Sequence, residues 1–243
     1  MKHFKLLATV FVAASTLFLV SCNSGEDKKM DEPVADSTAT KPETTVTAPS
    51  GPTSTMIIRH KVADYAKWKT GYESHDSFRL ANGLHNYVIA RGTEDPNTLL
   101  IAVKMDDVDK AKAFAASPDL KAKMKEVGVI GAPSVVDFLE SVMNDTTAIQ
   151  ATTRVMIRSK VKDWDAWKKS FDGHKQARTD AGLTDRVISY TVGNNHNVTL
   201  VFAVADMEKA KAFINSQDLK DKMKEAGVEG PPDIFFYKIT QKY

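Results

Sequence analysis

The feature that most constrains the fold of this chain is an internal repeat that needs no gaps. Residues 56–140 align with residues 155–239 at a constant offset of 99. Roughly a third of the aligned positions are identical, as expected for a repeated structural unit. The most similar block, Lys110 to Phe114, reads KAKAF and returns unchanged as Lys209 to Phe213. Each copy is long enough for one small domain, so we expect the same fold to be formed twice.

The first copy has the pattern of four strands and two helices in the order β-α-β-β-α-β. The predicted strands are short apolar runs with β-branched residues, over 56–62, 84–90, 98–105 and 134–142. Asp64 and Asp107 stand where the N-caps of the two helices belong, and Gly83 follows the first helix. Ser117 and Pro118 break or bend the second helix. Because this order is the split β-α-β pattern, we predict an α+β protein with two tandem ferredoxin-like βαββαβ repeats.

Each predicted sheet carries its helices on one face, so its other face needs an apolar partner. Two motifs occur in both copies: an Asp-(Tyr/Trp)-x-x-Trp-Lys helix start at Asp64 and Asp163, and a Gly-Val-x-Gly-x-Pro segment at Gly128 and Gly227. With the first strand, these motifs resemble the dimeric α+β barrel superfamily, which includes antibiotic-biosynthesis-monooxygenase-like and stress-responsive A/B-barrel domains. In that superfamily two sheets close face to face. The resemblance therefore implies that the two copies form one pseudo-dimeric α+β barrel within the chain.

One row of side chains on the first predicted helix returns at identical spacing in the second copy. Successive members are four, three and four residues apart, which places them on one helix face. The rows are Trp68, Tyr72, His75 and Arg79 in the first copy and Trp167, Phe171, His174 and Arg178 in the second. We interpret the aromatic members as core side chains that also form candidate walls of a pocket.

The histidine and arginine of each row have two alternative roles. In the first, they are polar edges of the helix that pair with nearby Asp or Glu. In the second, they lie at the mouth of a cavity between helix and sheet, where the resemblance implies that small molecules bind. A histidine that titrates near neutrality beside a permanent cation suits a polar or anionic ligand. His75, Arg79, His174 and Arg178 are therefore candidate ligand-binding residues.

The first strand of each copy adds a pair of cations. Arg59 and its counterpart Arg158 alternate with aliphatic residues, so they point to the opposite sheet face from those aliphatics. If the barrel closes, that face is its interior, and both arginines become candidate ligand-binding residues. The alternative is a pair at the barrel end that local carboxylates neutralise. His60 is replaced by Ser159 in the second copy, so no role common to both copies requires that histidine.

Several kinds of site lack a sequence pattern here. There is no paired cysteine, no His-x-x-x-His and no Asp-rich loop, so we expect no metal. Neither a Gly-x-Gly-x-x-Gly nor a Walker loop occurs, so we expect no nucleotide cofactor. Haem-degrading members of the superfamily use an Asn, a Trp and a His in another arrangement, whereas Trp68 and His75 share one helix. We expect a cofactor-free protein.

Two functional hypotheses follow from the residues and the resemblance. The first is a binding protein whose two related helix–sheet pockets hold a small polar or anionic molecule. The alternative is a cofactor-independent enzyme, similar to monooxygenases or isomerases of the superfamily, with His75 and His174 as general acid–base groups. A purely structural envelope protein is a third alternative, and fold alone does not decide among the three.

The N-terminal residues predict export and a lipid anchor. Lys2 and Lys5 precede an apolar run from Leu6 to Val20, which is typical of a secretory signal and shorter than a membrane span. The run ends in Leu-Val-Ser-Cys, which resembles a bacterial lipobox, so Cys22 is the predicted lipidation site. We therefore expect a bacterial cell-envelope lipoprotein, held at the inner or outer membrane through Cys22.

The rest of the composition sets the predicted organisation and excludes nucleic acid. Removing Lys2 and Lys5 with the signal leaves 31 basic and 31 acidic residues, so no net charge attracts a polyanion. The segment after Cys22 is rich in Thr, Ser, Pro, Glu and Asp, which is typical of disordered tethers. The predicted regions are a signal peptide over 1–21, a lipid-anchored disordered linker over 22–54, the first barrel repeat over 55–143, a connector over 144–153 and the second barrel repeat over 154–243.

Overall fold

The computed structural model describes residues 53–243. The predicted signal peptide, Cys22 and the predicted linker up to residue 52 lie outside the described residues. Among the helices of residues 53–243, none combines the length and the apolar character that a membrane crossing requires.

The described chain has two halves in which the elements follow the same order. The first half contains β1 (Thr53–Val62), α1 (Tyr65–Ser74), α2 (Asp76–Ala81), β2 (Leu84–Gly92), β3 (Thr98–Met105), α3 (Val108–Ala116), α4 (Pro118–Glu126) and β4 (Val129–Asn144). The second half contains β5 (Thr153–Val161), α5 (Trp164–Gly173), α6 (Lys175–Asp180), β6 (Leu183–Thr191), β7 (Asn194–Val204), α7 (Met207–Asn215), α8 (Gln217–Glu225) and β8 (Val228–Lys242).

The helix starts agree with the sequence, but the first helix of each half is not continuous. The carboxylates of Asp64 and Asp107 accept hydrogen bonds from backbone N–H groups three residues later, which confirms both as N-caps. The prediction of one helix through Arg79 was wrong, because the chain leaves helical geometry at His75, with φ −97° and ψ 13°. The N–H of His75 there bonds to the carbonyl of Tyr72, three residues back instead of four, which tightens and ends the turn.

All eight strands of the described residues form one closed antiparallel barrel. The order around it is β1-β3-β2-β8-β5-β7-β6-β4, and β4 closes the circle by pairing with β1. Two seams join the halves: Gly92 of β2 pairs with Tyr237 of β8, and Leu139 of β4 pairs with Thr191 of β6. The prediction of a mixed α+β fold whose sheets close into a barrel is confirmed.

Alternation along β1 separates two kinds of core. Met56 belongs to an apolar cluster under the helices of the first half, with Trp68. Its neighbour Ile57 points the other way, into a cluster inside the barrel that includes Met156 of the second half. A third cluster lies under the helices of the second half, around Trp167. Each sheet is therefore covered by helices outside and by the opposite sheet inside.

The pairing of β1 with β4 is interrupted at one place. The register shifts between Arg59 and Lys61, so that His60 lies opposite a longer segment of β4, residues 131–134. This segment contains Gly131 at φ 69°, a conformation that side-chain-bearing residues rarely adopt. The predicted last strand therefore begins earlier than expected, at Val129, because the irregular segment is accommodated inside it. Irregularities of this kind re-aim side chains and are common beside functional sites.

Candidate functional site

A cavity lies between the helices and the sheet in each half. The first has a volume of about 100 Å³ and the second about 90 Å³. Both rows predicted from the sequence reach these cavities: Trp68, Tyr72, His75 and Arg79 line the first, and Trp167, Phe171, His174 and Arg178 line the second. The remaining walls are mostly apolar, as shown in the first cavity by Ile101, Phe114 and Val136. We call these cavities the first and the second helix–sheet pocket.

The aromatic members of each row are stacked core side chains. Trp68 is buried, and its ring stacks on Tyr72 with a centroid distance of 5.0 Å. Trp167 stacks on Phe171 in the same way at 5.2 Å. Ring stacking of this kind adds to the stabilisation that comes from burying the apolar area. These residues form the inner wall of each pocket.

The two arginines of the rows are buried and already paired. Arg178 is 5% exposed; its Nε and Nη2 donate to the two carboxylate oxygens of Asp185, each at 2.8 Å. Arg79 is also 5% exposed; its Nε donates to Asn86 Oδ1 at 3.0 Å and its Nη2 to Asp76 Oδ1 at 3.2 Å. Each guanidinium lies 3.7 Å from the centre of the aromatic ring seven residues earlier. This geometry corresponds to the first of the two alternatives, in which the arginines pair with neighbouring polar groups.

The two histidines of the rows differ in their surroundings. His75 is partly exposed, and its ring centre lies 5.0 Å from that of Phe78. Burial lowers the pKa of His75, and the cations of Lys123 and Arg79 lower it further. His174 instead uses its ring Nδ1 to bond the backbone carbonyl of Ser170 at 2.8 Å. In the second pocket, one ring nitrogen of the histidine is therefore occupied by the helix.

A third histidine, which the sequence comparison of the two copies had set aside, faces the first pocket. His60 is 6% exposed, and its ring meets the edge of Trp68 at a centroid distance of 5.8 Å. Neither of its ring nitrogens has a hydrogen-bond partner among residues 53–243. Burial lowers the pKa of His60 to about 4, so the ring is neutral at pH 7. The sequence signal was a single histidine among the helix-facing apolar residues of the first strand.

The arginines of the first strands lie away from both pockets. They point into one end of the barrel, on the opposite face of the sheet from the helices. Arg59 Nη1 lies 3.0 Å from Asp233, and Arg158 Nη2 lies 2.8 Å from Asp137, so each pair joins one half to the other. This is the alternative of a cationic pair neutralised by carboxylates at the barrel end. The structure thus separates Arg59 and Arg158 from the helix rows.

The described residues offer no obvious set of metal ligands. Between residues 53 and 243, no three His, Cys, Asp or Glu side chains are grouped as a metal site would require. The first pocket instead combines an apolar wall, a neutral buried imidazole and the partly exposed ring of His75. This arrangement can hold a small apolar molecule and exchange one hydrogen bond with it.

Comparison with known proteins gives the fold. No protein-family model matches the sequence, and no curated protein is significantly similar to it. A proposed monooxygenase from Fusobacterium nucleatum subsp. nucleatum is 12% identical, with a TM-score of 0.52 over 79% of this chain and 94% of that one. An anthrone oxidase-like protein is 12% identical, with a TM-score of 0.52 over 80% and 94% of the two chains.

A third solved structure, a proposed chlorite dismutase, is 14% identical, with a TM-score of 0.52 over 79% of this chain and 96% of that one. At such identities the likeness concerns architecture and not chemistry. The described part of the chain thus has a mixed α+β fold, with an eight-stranded antiparallel sheet and eight helices, similar to the ferredoxin-like dimeric α+β barrel.

Proposed function

We propose that the first helix–sheet pocket binds a small, largely apolar molecule that carries one hydroxyl or similar polar group directed at His60. The observation that carries this proposal is the buried imidazole of His60, which lines an apolar pocket and has no hydrogen-bond partner among residues 53–243. A buried polar group without a partner costs about 1–3 kcal/mol. A ligand that supplies the missing hydrogen bond recovers part of that cost.

The size and the lining of the pocket narrow the class of ligand. Apolar cavities of about 150 Å³ accept benzene, so the free volume of about 100 Å³ suits a ligand no larger than one ring. The sequence suggested a polar or anionic ligand because Arg79 was expected to face it. Since Arg79 is held by Asn86 and Asp76, we now favour a neutral ligand.

The two halves do not support the same role. Ser159 takes the place of His60 in the second half, and the ring of His174 is bonded to the helix backbone. We therefore assign the binding function to the first pocket, and the second pocket keeps the architecture without the free imidazole. We also propose that the two halves arose by tandem duplication, which their offset of 99 supports, and that Cys22 anchors the protein to a bacterial envelope membrane.

A second candidate function is cofactor-independent oxidation of a phenolic or enolic molecule. A neutral imidazole in an apolar pocket can remove the proton of such a substrate, which is the first requirement for its reaction with oxygen. Structures named as a proposed monooxygenase and an anthrone oxidase-like protein share this fold. His60 and His75 are the candidate bases of the first pocket, because Nδ1 of His174 is bonded to the carbonyl of Ser170. Burial lowers the pKa of His60 to about 4, which makes it a weak base for a phenol.

The test compares two probes of equal shape on the full chain by isothermal titration. Phenol carries a hydroxyl, and toluene replaces it by a methyl group. We expect native protein to prefer phenol, and His60→Ser to lower the affinity for phenol roughly tenfold while leaving that for toluene unchanged. Ser159→Ala, at the equivalent position of the second half, is the matched control and should change neither affinity.

Two results would contradict the binding proposal. One is that native protein binds phenol and toluene with equal affinity. The other is that His60→Ser lowers the affinity for phenol and the affinity for toluene by the same factor. Oxygen uptake by native protein with phenol, absent in His60→Ser, would distinguish the enzyme from the simple binding protein.

A further inference from the structure

The interior of the barrel contains a larger cavity than either helix–sheet pocket. It has a volume of about 240 Å³ and lies at the end of the barrel where β1 and β5 begin, opposite the end that holds Arg59 and Arg158. Apolar side chains form much of its wall, among them Ile57, Leu100 and Met156. Because these residues face inwards, the sheet itself separates this cavity from the helix–sheet pockets.

The charged residues that line the cavity are predominantly cationic. They are Lys104, Arg154, Arg186, Lys242 and Asp145. The carboxylate of Asp145 pairs with Arg186 Nη1 at 2.8 Å, and Arg186 also donates to the carbonyl of Thr147 at 2.6 Å. The only side-chain carboxylate among the lining residues is therefore already paired, whereas Lys104, Arg154 and Lys242 form no ion pair with it.

Arg154 is the most deeply placed of these cations. It is 4% exposed, and its Nη1 donates only to backbone carbonyls, those of Ala151 at 2.6 Å and Thr153 at 2.9 Å. It forms no ion pair with any carboxylate of residues 53–243. Burial lowers the pKa of Arg154, and the charge of Arg186 lowers it as well. Transfer of an ionised group into a protein interior is costly unless an opposite charge compensates it.

Lys104 brings a second cation from the other half of the chain. Its ammonium donates to the hydroxyl of Thr55 at 3.1 Å and lies 4.3 Å from the ring centre of Tyr87. Within the described range it likewise has no carboxylate partner, and burial lowers its pKa. Neutral contacts of this kind orient an ammonium group without neutralising it.

The two cations occupy non-equivalent positions in the two halves. The offset of 99 makes Thr55 the counterpart of Arg154 and Ala203 the counterpart of Lys104. Each half thus contributes one cation from a different strand, and neither cation is an automatic product of the repeat. Arg154 is buried and Lys104 is half-buried, and neither has a carboxylate partner among residues 53–243, although both lie beside an apolar floor.

We propose that this barrel cavity binds a monocarboxylate with an apolar body, whose carboxylate lies between Arg154 and Lys104. The planar guanidinium of Arg154 suits a carboxylate, the ammonium of Lys104 adds a second charge, and the apolar wall accepts the body of the ligand. The free volume exceeds that of the helix–sheet pockets, so a ring or a short chain fits in addition to the charged group.

The test is isothermal titration of the full chain with benzoate, and with benzamide as a neutral molecule of the same shape. Native protein should bind benzoate more tightly than benzamide. Two variants introduce the residue that the other half carries at the equivalent position: Arg154→Thr and Lys104→Ala. Each should weaken benzoate binding roughly tenfold or more, with little effect on benzamide, because a charge-assisted hydrogen bond is lost.

Two controls show that a loss of benzoate binding arises in the barrel cavity and that it does not come from misfolding. His60→Ser changes only the first helix–sheet pocket, so it should leave benzoate binding intact. Without ligand, Arg154→Thr and Lys104→Ala should melt no earlier than native protein, since each removes a charge that has no carboxylate partner among residues 53–243. The proposal is overturned if native protein fails to prefer benzoate over benzamide, or if folded Arg154→Thr and Lys104→Ala both bind benzoate with native affinity.

Discussion

Replacing Arg178 by methionine should destabilise the protein by about 3–5 kcal/mol, the usual cost of removing one partner of a buried ion pair. Its guanidinium makes two hydrogen bonds of 2.8 Å to Asp185, and the side chains of the pair are 6% and 16% exposed. Methionine keeps most of the apolar stem but leaves the carboxylate of Asp185 without its cation. The loss should therefore come from the stranded charge and not from a cavity.

The equivalent position in the first half gives a built-in comparison. Arg79 is as deeply buried as Arg178, but its partners are the neutral amide of Asn86 and the carboxylate of Asp76, whose side chain is 43% exposed. Water can solvate Asp76 after the arginine is lost. Arg79→Met should therefore cost less, about 1.5–3 kcal/mol, as expected for hydrogen bonds to a charged group.

Urea unfolding of the full chain, followed by tryptophan fluorescence, measures both losses. The double variant Arg178→Met with Asp185→Leu removes the stranded charge and should recover most of the stability lost in Arg178→Met. The reasoning would be refuted if the double variant were no more stable than the single one. It would also be refuted if Arg79→Met cost as much as Arg178→Met, because only Arg178→Met leaves a largely buried carboxylate without its cation.

Three further outcomes can be checked directly. Trp68→Ala and Trp167→Ala should each cost about 3–5 kcal/mol in urea unfolding, since both remove a stacked core ring; a loss below that of Arg79→Met would contradict this. The pKa of His60 is about 4 in the folded protein and about 6.5 in the unfolded chain. Unfolding therefore takes up a proton below pH 6.5, and about 3 kcal/mol of stability is lost as the pH falls towards 4; His60→Ser should flatten this pH dependence. Cys22→Ser should leave an unprocessed precursor or release the chain from membranes, and unchanged detergent partitioning would show that Cys22 is not the anchor.

Features set by local sequence were predictable, and those set by distant contacts were not. Asp64 and Asp107 were recognisable as N-caps because a cap depends on residues three positions away. The closure of the sheet followed from the apolar faces that each copy exposes. The break at His75 was missed because the spacing of Trp68, Tyr72 and Arg79 is equally compatible with one continuous helix.

The candidate site was predictable only in outline. The helix rows do line the pockets, but the partner of Arg178 lies on the following strand, and periodicity cannot show whether a cation meets Asp185 or a ligand. His60 was set aside because the comparison of the copies favoured residues present in both. Its place in the candidate site depends on two features that only the three-dimensional structure shows. One is the irregular segment of β4 opposite His60, and the other is the absence of a hydrogen-bond partner for its ring among residues 53–243.

The closure of the barrel within one polypeptide has a consequence for how its sites can change. In a barrel made of two identical chains, every substitution appears twice, and any pocket exists in two equal copies. Here each residue of the chain occurs once in the barrel. A substitution that disrupts one pocket therefore leaves the equivalent pocket of the other half intact. Two pairs of equivalent positions differ in this way: His60 corresponds to Ser159, and Lys104 corresponds to Ala203. The number of ligands bound per barrel can therefore be one, a stoichiometry that a symmetric pair of chains reaches only by breaking its symmetry.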